Sequence, residues 1–240
     1  YSGGVLGAYA DANNVPADKL IRIPDGVSDE VAAAALLKGM TAQYLLKRTY
    51  AVKRGETILF HSAAGGVGSI ACQWAAHLGA TVIGTVGSQA KLEPARAAGC
   101  AHVLLLSEGW NKKVREITGG GGVPVVYDSI GKDTFDAPLD CLSTRGLMVS
   151  FGNSSGPVTP FPLGILASKG SLYLTRPTLG NYTRDARETQ ETADDLFAVI
   201  ASGAVKIAVN QRFALKDAAK AHEALAGRKT TGATVLIPDA

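Results

Sequence analysis

The sequence has few of the features that mark metal-binding, disulfide-linked or membrane-spanning proteins. Its 240 residues include three cysteines, Cys72, Cys100 and Cys141, an odd number without metal-ligand spacing. This usage favours reduced thiols and a cytoplasmic protein. The four histidines are scattered, so no Cys/His cluster could hold zinc. No apolar run approaches the roughly 18 residues that span a bilayer, and the first residues do not follow the layout of a signal peptide. We expect neither a metal site nor a membrane anchor.

Net charge is also small, because 24 basic residues face 21 acidic ones and leave a formal charge of +3. Such a balance does not predict a nucleic-acid or membrane-surface partner. The hydrophobic fraction of 46% and the charged fraction of 19% are those of an ordinary globular protein. Composition therefore leaves both an enzyme and a binding module open.

The first 28 residues open on a glycine-rich segment and continue as short strand-like pieces without a helix: YSGGVLGAYADANNVPADKLIRIPDGVS. We interpret this segment as the tail of a β domain whose beginning is absent. The chain is therefore expected to be a fragment or a truncated protein.

From residue 57 onward, short apolar runs alternate with helical segments. The predicted strands are ETILFHS, TVIGTVG, HVLLL, VPVVYDS and GLMVSFG. The predicted helices between them are VGSIACQWAAHLG, SQAKLEPARAAG, WNKKVREITGGGG and DTFDAPLDCLS. We expect Ser88 to cap the second of these helices and Pro94 to delay or kink it. Strands that alternate with helices form parallel βαβ units, and wholly apolar strands are typical of a sheet buried on both faces. The sequence predicts an α/β fold built on a doubly wound parallel sheet.

The pattern changes after residue 160. GSLYLTRPTL predicts one further strand that could lie at the edge of the sheet, and TRDARETQETADDLFAVIASG predicts a long amphipathic helix. LKDAAKAHEALAGRKTTGATVLIP predicts a helix, a basic turn and a final strand. We interpret this closing piece as a return to the β domain that opens the chain.

The turn between the first strand and the first helix, HSAAGGVG, has the spacing of a dinucleotide-binding turn, with Ala63, Gly65 and Gly68 at the three glycine positions. A strand that enters a helix through glycines offers free N–H groups and the positive end of a helix dipole to a phosphate. Gly65 allows close approach to a pyrophosphate, Gly68 allows close helix packing, and Ala63 is compatible if its φ is negative. A tight turn that binds nothing is the alternative, but the βαβ context favours a cofactor site.

The end of the second strand indicates which cofactor binds. NAD sites place Asp or Glu about 20 residues past the turn, on the ribose, whereas no acidic residue lies between Gly68 and Glu93. Gly87 and Ser88 stand there, and Lys91 follows. Lys91 alone would be read as a solvated helix lysine. Combined with the missing acid, it favours NADPH, because a hydroxyl and a cation attract a 2′-phosphate.

Six segments together resemble the NADPH:quinone oxidoreductase (zeta-crystallin-like) branch of the zinc-free medium-chain dehydrogenase/reductase family: LLKGMTAQYLL, HSAAGGVG, IGTVGS, YDSIGKDTF, LMVSFGNSSGPV and GSLYLTRPTL. The resemblance covers essentially the whole chain. It implies a GroES-like β-barrel domain, of which residues 1–37 are the remainder, a Rossmann NADP-binding domain over residues 38–179, and a return to the barrel over residues 180–240. It also implies a homodimer, formed partly by the edge strand SLYLT.

The resemblance assigns cofactor contacts by position. Thr41 and Tyr44 would face the nicotinamide half, Gly65, Gly66 and Val67 the pyrophosphate, Gly87, Ser88 and Lys91 the 2′-phosphate, and Ile130 the adenosine. Phe151, Gly152, Asn153 and Ser154 would meet the nicotinamide ribose and carboxamide, Pro177, Thr178 and Leu179 the nicotinamide end, and Arg228 a phosphate. Phe151 could instead be a core aromatic, and Arg228 a solvated loop charge. No catalytic acid is assigned.

One segment departs from the family. Relatives carry Asn-Tyr-Arg after the third strand, where this chain has Leu105, Leu106 and Ser107 and is one residue shorter just beyond. The tyrosine and arginine that help cover the 2′-phosphate are absent, so the preference for NADPH over NADH is expected to be weaker here.

We therefore expect a zinc-independent oxidoreductase that transfers hydride from NADPH to a quinone, in a two-electron or a semiquinone-forming reduction, or to a similar α,β-unsaturated carbonyl compound. We also expect poor turnover by the chain as given, because the start of the barrel is absent. One alternative is an NADPH-dependent enoyl or alkenal reductase of the same superfamily. Another is a non-catalytic cofactor- or RNA-binding relative, which only the basic turn GRKTTG and the absent barrel start support.

Overall fold

The computed structural model describes residues 7–227 and 229–238. In chain order its helices are α1 (Asp29–Gln43), α2 (Gly66–His77), α3 (Leu92–Ala97), α4 (Trp110–Ile117), α5 (Asp136–Leu139), α6 (Gly164–Ser168), α7 (Ala186–Ala201) and α8 (Ala218–Ala226). Its strands are β1 (Thr57–Phe60), β2 (Thr81–Val86), β3 (His102–Leu105), β4 (Val123–Asp128), β5 (Leu142–Ser150), β6 (Tyr173–Thr175), β7 (Val209–Ala214) and β8 (Ala233–Ile237). A π-helical segment, Tyr44–Thr49, follows α1 directly.

The described chain divides into two compact units. One contains residues 44–178, and the other contains the described residues before 44 and after 178. The predicted domain limits at residues 37 and 179 stay predictions.

The unit of residues 44–178 is built on a six-stranded sheet of order β3-β2-β1-β4-β5-β6. Every neighbouring pair in this sheet is parallel. The apolar strand residues are buried: Leu59, Ile83, Val126 and Met148 from four adjacent strands belong to one core cluster. The predicted doubly wound parallel sheet is confirmed, with β6 at its edge as expected.

The predicted ends of individual helices and strands agree only in part with the structure. Pro94 does delay its helix, since α3 begins at Leu92 after a short 3-10 turn over Gln89–Lys91. Ser88 occupies the N-cap position of this 3-10 turn, as predicted, but its side chain makes no capping hydrogen bond and only its carbonyl accepts the Lys91 N–H, at 3.0 Å. The helix predicted over DTFDAPLDCLS is shorter than expected and is limited to the four residues of α5. The fifth strand begins at Leu142, before the predicted start at Gly146, because Leu142 is buried and pairs with Val123 of β4.

The other unit contains a two-stranded parallel sheet of β7 and β8 and the packed helices α1 and α7. These helices approach closely at Gly39, where an added Cβ would lie 2.4 Å from a methyl carbon of Leu196. Over residues 7–28 the predicted strand-like pieces are wrong: a 3-10 turn, Ala17–Lys19, is the only regular element there. Its residues are almost wholly exposed, and within the described part of the chain no strand pairs with it. That the unit is the remainder of a β-barrel stays a prediction.

Among the residues described, no helix has the length and apolar character needed to cross a membrane.

Candidate functional site

The carboxyl ends of the strands form one edge of the parallel sheet, and the strand order reverses there between β1 and β4. Open α/β sheets bind ligands at this position, in the crevice that the diverging loops leave. Most of the predicted site residues follow β1, β2, β4, β5 or β6 at this edge. The fold therefore gathers them although they are spread over more than a hundred positions of sequence.

The glycine turn accommodates Ala63 without strain. The left-handed backbone conformation falls on Ser62, at φ 55°, and Ala63 is not among the described non-glycine residues with positive φ. The Ala63 N–H donates to Thr85 O at 3.0 Å, and its methyl is fully buried. Gly84 in β2 makes room for that methyl, since an added Cβ at Gly84 would lie 2.7 Å from it. Ala63 is thus an intact part of the turn.

The start of α2 has the shape of an anion-binding site. An added Cβ on Gly68 would lie 2.2 Å from Ser62 O, and one on Gly65 would lie 3.0 Å from the same oxygen, so the helix can approach the turn only with glycine at Gly68. The first bond within the helix runs from Ser69 N–H to Gly65 O at 2.9 Å, and no side chain caps the helix. The N–H groups of Gly66, Val67 and Gly68 therefore lack the intrahelical partners that later residues have, which fits a pyrophosphate.

The end of β2 is open and bears no acid. Gly87, Ser88 and Lys91 are all exposed, and an added Cβ on Gly87 would meet no atom within 4 Å. Within the described residues Lys91 forms no ion pair, and the nearest acid in sequence, Glu93, pairs with Arg96. A hydroxyl and a cation around an open position fit a 2′-phosphate.

The departure from the family lies beside this open position. The Leu106 N–H donates to Val86 O at 2.8 Å, so the chain after β3 runs along the end of β2. Leu106 packs partly against the core, whereas Ser107 is exposed. Neither side chain carries a charge that could add to the one on Lys91.

The loop after β4 is folded around one buried carboxylate. Asp128 accepts the Ile130 N–H at 2.7 Å on Oδ1, and on Oδ2 it accepts the Thr134 hydroxyl at 2.9 Å and the Gly131 N–H at 3.3 Å. Asp128 is fully buried. Because three groups of the loop bond to one carboxylate, the position of Ile130 is fixed relative to the end of β4.

The loops after β4 and β5 lie against each other. The Ser154 N–H donates to Ser129 O at 3.1 Å, and an added Cβ on Gly152 would lie 2.6 Å from the same oxygen. Gly131 is equally close to Gly156 O, at 2.6 Å from its would-be Cβ. This contact brings Ile130 together with the predicted nicotinamide residues over positions 151–154.

Phe151 is a half-buried aromatic residue directly after the end of β5. Its N–H donates to Asp128 O at 2.8 Å, and its ring centroid lies 5.8 Å from that of Phe60 at the end of β1. The nearby Tyr127 hydroxyl donates to Leu45 O at 3.1 Å, which ties the π-helical segment that begins at Tyr44 to β4. Tyr44 is itself buried.

The remaining predicted residues are distributed as follows. Pro177 is buried and Thr178 exposed after β6, whereas Thr41 and Leu179 belong to the other unit. The Thr41 hydroxyl donates to Leu37 O at 2.8 Å within its own helix. Arg228 lies outside the described residues. The cofactor contacts of all these residues stay predictions.

His61, the residue after β1, is a neutral histidine in the core. It is fully buried, its Nδ1 lies 2.7 Å from Thr85 Oγ1, and its ring packs edge-on against Trp110 with centroids 5.0 Å apart. Burial lowers the pKa of His61 from 6.5 to about 4, and the charge of Asp128 only partly opposes this shift. His61 therefore positions the start of the turn rather than exchanging protons near neutral pH.

Sequence reasoning missed Asp128, Thr85 and Arg176 as residues that shape this edge. Asp128 had a recognisable signal, since it is an acid at the end of the otherwise apolar run VPVVYDS. No signal in the sequence marked Arg176. Its Nη1 donates to Ser150 O at 2.9 Å, and this contact depends on which strand lies next to β6.

Comparison with known proteins decides the family. The family model described as zinc-binding dehydrogenase matches residues 66–198, more than half of the 240-residue chain. A quinone oxidoreductase of Pseudomonas aeruginosa is 54% identical over 239 residues, which cover 99% of this chain and 74% of the relative. The chain belongs to the medium-chain dehydrogenase/reductase family.

Two further relatives define the branch of this dehydrogenase/reductase. The crystal structure of Escherichia coli quinone oxidoreductase complexed with NADPH superposes with a TM-score of 0.92 at 53% identity, over 98% of this chain and 73% of that one. A 2-haloacrylate reductase of Burkholderia is 48% identical over 98% of this chain and 72% of the relative. The resemblance inferred from the six segments is thereby confirmed.

The description of the family model mentions zinc. Over residues 7–227 and 229–238, no group of three or more His, Cys, Asp or Glu side chains is placed to hold a metal ion. Zinc independence of this dehydrogenase/reductase stays a prediction.

Proposed function

We propose that the protein is an NADPH:quinone reductase that passes two electrons, as hydride, to a quinone. The observation that carries this function is the identity of 52–56% to three curated quinone oxidoreductases over 99% of the chain. The site supports it independently, because the turn at the β1–β4 switch point fits a dinucleotide and the end of β2 lacks the acid of an NAD site.

In this function NADPH supplies the hydride when it is bound, and the protein binds and orients it. The N–H groups at the start of α2 hold the pyrophosphate, together with Gly65 and Gly66 of the turn. Ser88 and Lys91 bind the 2′-phosphate. The joined loops after β4 and β5, with Ile130 and Phe151, form a wall that keeps water from the nicotinamide face. No side chain of the described residues is assigned as a proton donor.

Three further properties belong to the same proposal. The protein works without zinc, in the cytoplasm. It forms a homodimer in which β6 pairs with its copy, an arrangement favoured by the exposure of Tyr173 (60%) on this edge strand. Its preference for NADPH rests on Ser88 and Lys91 and is weakened by the uncharged Leu106 and Ser107.

The reduction of an activated carbon–carbon double bond is the second candidate. It is favoured by the relative named 2-haloacrylate reductase, which is 48% identical. Enoyl and alkenal compounds share with quinones an electron-poor double bond conjugated to a carbonyl, so one hydride site could serve both. No observation favours the non-catalytic or RNA-binding alternative.

Steady-state kinetics of the purified protein with NADPH test the proposal. We expect turnover of 1,4-benzoquinone to exceed that of an enoyl thioester. Turnover of the thioester alone would assign the second candidate, and a folded protein that binds no NADPH would contradict both.

A further inference from the structure

The chain contains a single Asp-Gly sequence, Asp25–Gly26, which lies just before α1. The peptide nitrogen that follows an aspartate can attack the side-chain carboxyl carbon and close a succinimide ring. Glycine at the second position hinders this attack least, because it has no Cβ and adopts many backbone conformations. The sequence therefore marks Asp25 as the aspartate whose neighbour opposes cyclisation least.

The structure leaves both residues of this pair unrestrained. Asp25 and Gly26 are exposed, Gly26 has φ 88°, and an added Cβ on Gly26 would meet no atom within 4 Å. Within the described ranges, neither the Asp25 carboxylate nor the Gly26 N–H has a hydrogen-bond or ion-pair partner. The turn is closed by a bond from the Val27 N–H to O of the exposed Pro24 at 3.2 Å, and bonds of this kind open at low cost. The carboxyl group and the nitrogen can therefore turn towards each other without disturbing packed structure.

Two other pairs in the chain carry related chemistry, and the structure restrains both. Asp128 precedes Ser129, but its carboxylate is fully buried and accepts three hydrogen bonds. Asn153 precedes Ser154, whose N–H, the attacking group, donates to Ser129 O at 3.1 Å. The Asp25–Gly26 pair is thus distinguished by its surroundings as well as by its sequence.

We propose that Asp25 is converted spontaneously to isoaspartate, and that the product is a substrate for an isoaspartyl-specific carboxyl methyltransferase. The Gly26 nitrogen forms a bond to Asp25 Cγ and loses its proton, and the carboxyl hydroxyl leaves, so that water is released. Water then opens the ring at either carbonyl. Opening at the former backbone carbonyl carries the chain through Cβ and leaves the α-carboxylate free, without a change in mass or oxidation state. This inference does not depend on the proposed function.

The methyltransferase would act on the carboxylate that the rearrangement sets free. A methyl group passes from S-adenosylmethionine to a carboxylate oxygen, which leaves S-adenosylhomocysteine. The Gly26 nitrogen then displaces methanol from the ester and closes the ring again, and hydrolysis returns a fraction of the chains to aspartate. The exposure of Asp25 and Gly26 suits an enzyme that has to bind this segment in its own cleft.

The chain is anchored only after this turn, so the rearranged protein should stay folded. Val27 is the first buried residue in the described part of the chain. At the start of α1, Ser28 Oγ accepts the Val31 N–H at 3.3 Å, and Ser28 O accepts the Ala32 N–H at 2.9 Å. The extra backbone atom enters before these contacts, at exposed residues. We therefore expect isoaspartate to accumulate in folded protein without a measurable change in Tm.

The test is incubation of the folded protein at neutral pH, followed by methyl transfer from labelled S-adenosylmethionine by an isoaspartyl methyltransferase and by tryptic peptide mapping. We expect the label to increase with incubation time in the peptide 23–38, which contains Asp25. It should stay at background in the peptide 116–132, which contains Asp128. In denatured protein the restraint on Asp128 is lost, and both peptides should take up label.

Two variants separate the site from its surroundings. Asp25→Glu keeps the charge but would have to close a larger ring, so the label in the peptide 23–38 should fall to background. Asp29→Glu changes an aspartate of the same peptide at the start of α1 and should be labelled at the wild-type rate. Label that persists in Asp25→Glu would overturn the inference, as would equal labelling of both peptides in the folded wild type. A folded wild type that stays unlabelled while the denatured protein is labelled would overturn it too.

Discussion

The imidazole Nδ1 of His61 lies 2.7 Å from Thr85 Oγ1 and so joins the end of β1 to β2 immediately before the glycine turn. Both side chains are fully buried, and within the described residues His61 Nε2 has no hydrogen-bond partner. The turn therefore starts from a histidine that is stable in the core only while it is neutral.

This burial makes stability depend on pH in a defined window. The pKa of His61 is about 4 in the folded protein and 6.5 in its ordinary environment. Between these values the unfolded chain takes up a proton that the folded chain does not, so stability is fully present above pH 6.5 and is lost as pH falls towards 4. The loss from this one group is about 3 kcal/mol in the free energy of unfolding.

Urea unfolding of the wild type and of His61→Gln across that pH range measures the effect. As pH falls from 6.5 to 4, the free energy of unfolding of the wild type should fall by about 3 kcal/mol more than that of His61→Gln. Identical slopes in the two proteins would show that His61 does not carry the pH dependence.

Gly68 should tolerate no side chain. In Gly68→Ala the new Cβ would lie 2.2 Å from Ser62 O, a backbone atom that can move only with the turn. We expect a loss of about 3 kcal/mol in the free energy of unfolding and a loss of NADPH binding in the molecules that fold. Gly164→Ala, at a helical position where an added Cβ meets nothing within 4 Å, is the control and should change neither. A Gly68→Ala protein of wild-type stability would contradict the tight packing of α2 on the turn.

Lys91 and Ser88 should set the preference between the two nicotinamide cofactors. We expect Lys91→Ala and Ser88→Ala each to weaken NADPH binding about 10-fold, as expected for a charge-assisted hydrogen bond, and to leave NADH binding unchanged. Fluorescence titration with both cofactors checks this, with Lys112→Ala on α4 as an exposed control. Equal weakening of NADPH and NADH would show that these residues do not meet the 2′-phosphate.

The strand and helix alternation could be predicted from sequence because it depends on local patterns. Buried parallel strands need continuous apolar runs, and Gly79 ends α2 with φ 89°, which only glycine adopts freely. The glycine turn was equally local, and the structure adds only that Ser62 takes the positive φ and that Gly84 makes room for Ala63.

What the sequence could not reveal depends on neighbours in space. The loop around Asp128 and the anchor of Arg176 on Ser150 join residues whose proximity follows from the strand order. The strand-like appearance of residues 7–28 was misleading for the same reason, since an extended segment becomes a strand only when a partner pairs with it.

If the protein forms the proposed homodimer, Tyr173 should contribute to its interface. Its side chain is 60% exposed on the edge strand β6, and Tyr173→Asp would place a charge on the edge that the proposed dimer would share. Analytical ultracentrifugation should show a dimer for the wild type and a monomer for Tyr173→Asp. Leu163→Asp, at a residue 74% exposed outside the sheet, should stay dimeric. A monomeric wild type, or a dimeric Tyr173→Asp, would contradict the pairing of β6.

The most direct test of the central claim is the oxidation of NADPH by the purified protein when 1,4-benzoquinone is added, followed by the loss of NADPH absorbance. We predict slow turnover in which NADPH is consumed in proportion to quinone, faster than NADH under the same conditions, at a rate that chelation of metal ions leaves unchanged. A folded protein that binds NADPH but leaves it unoxidised in the presence of quinone would contradict the account.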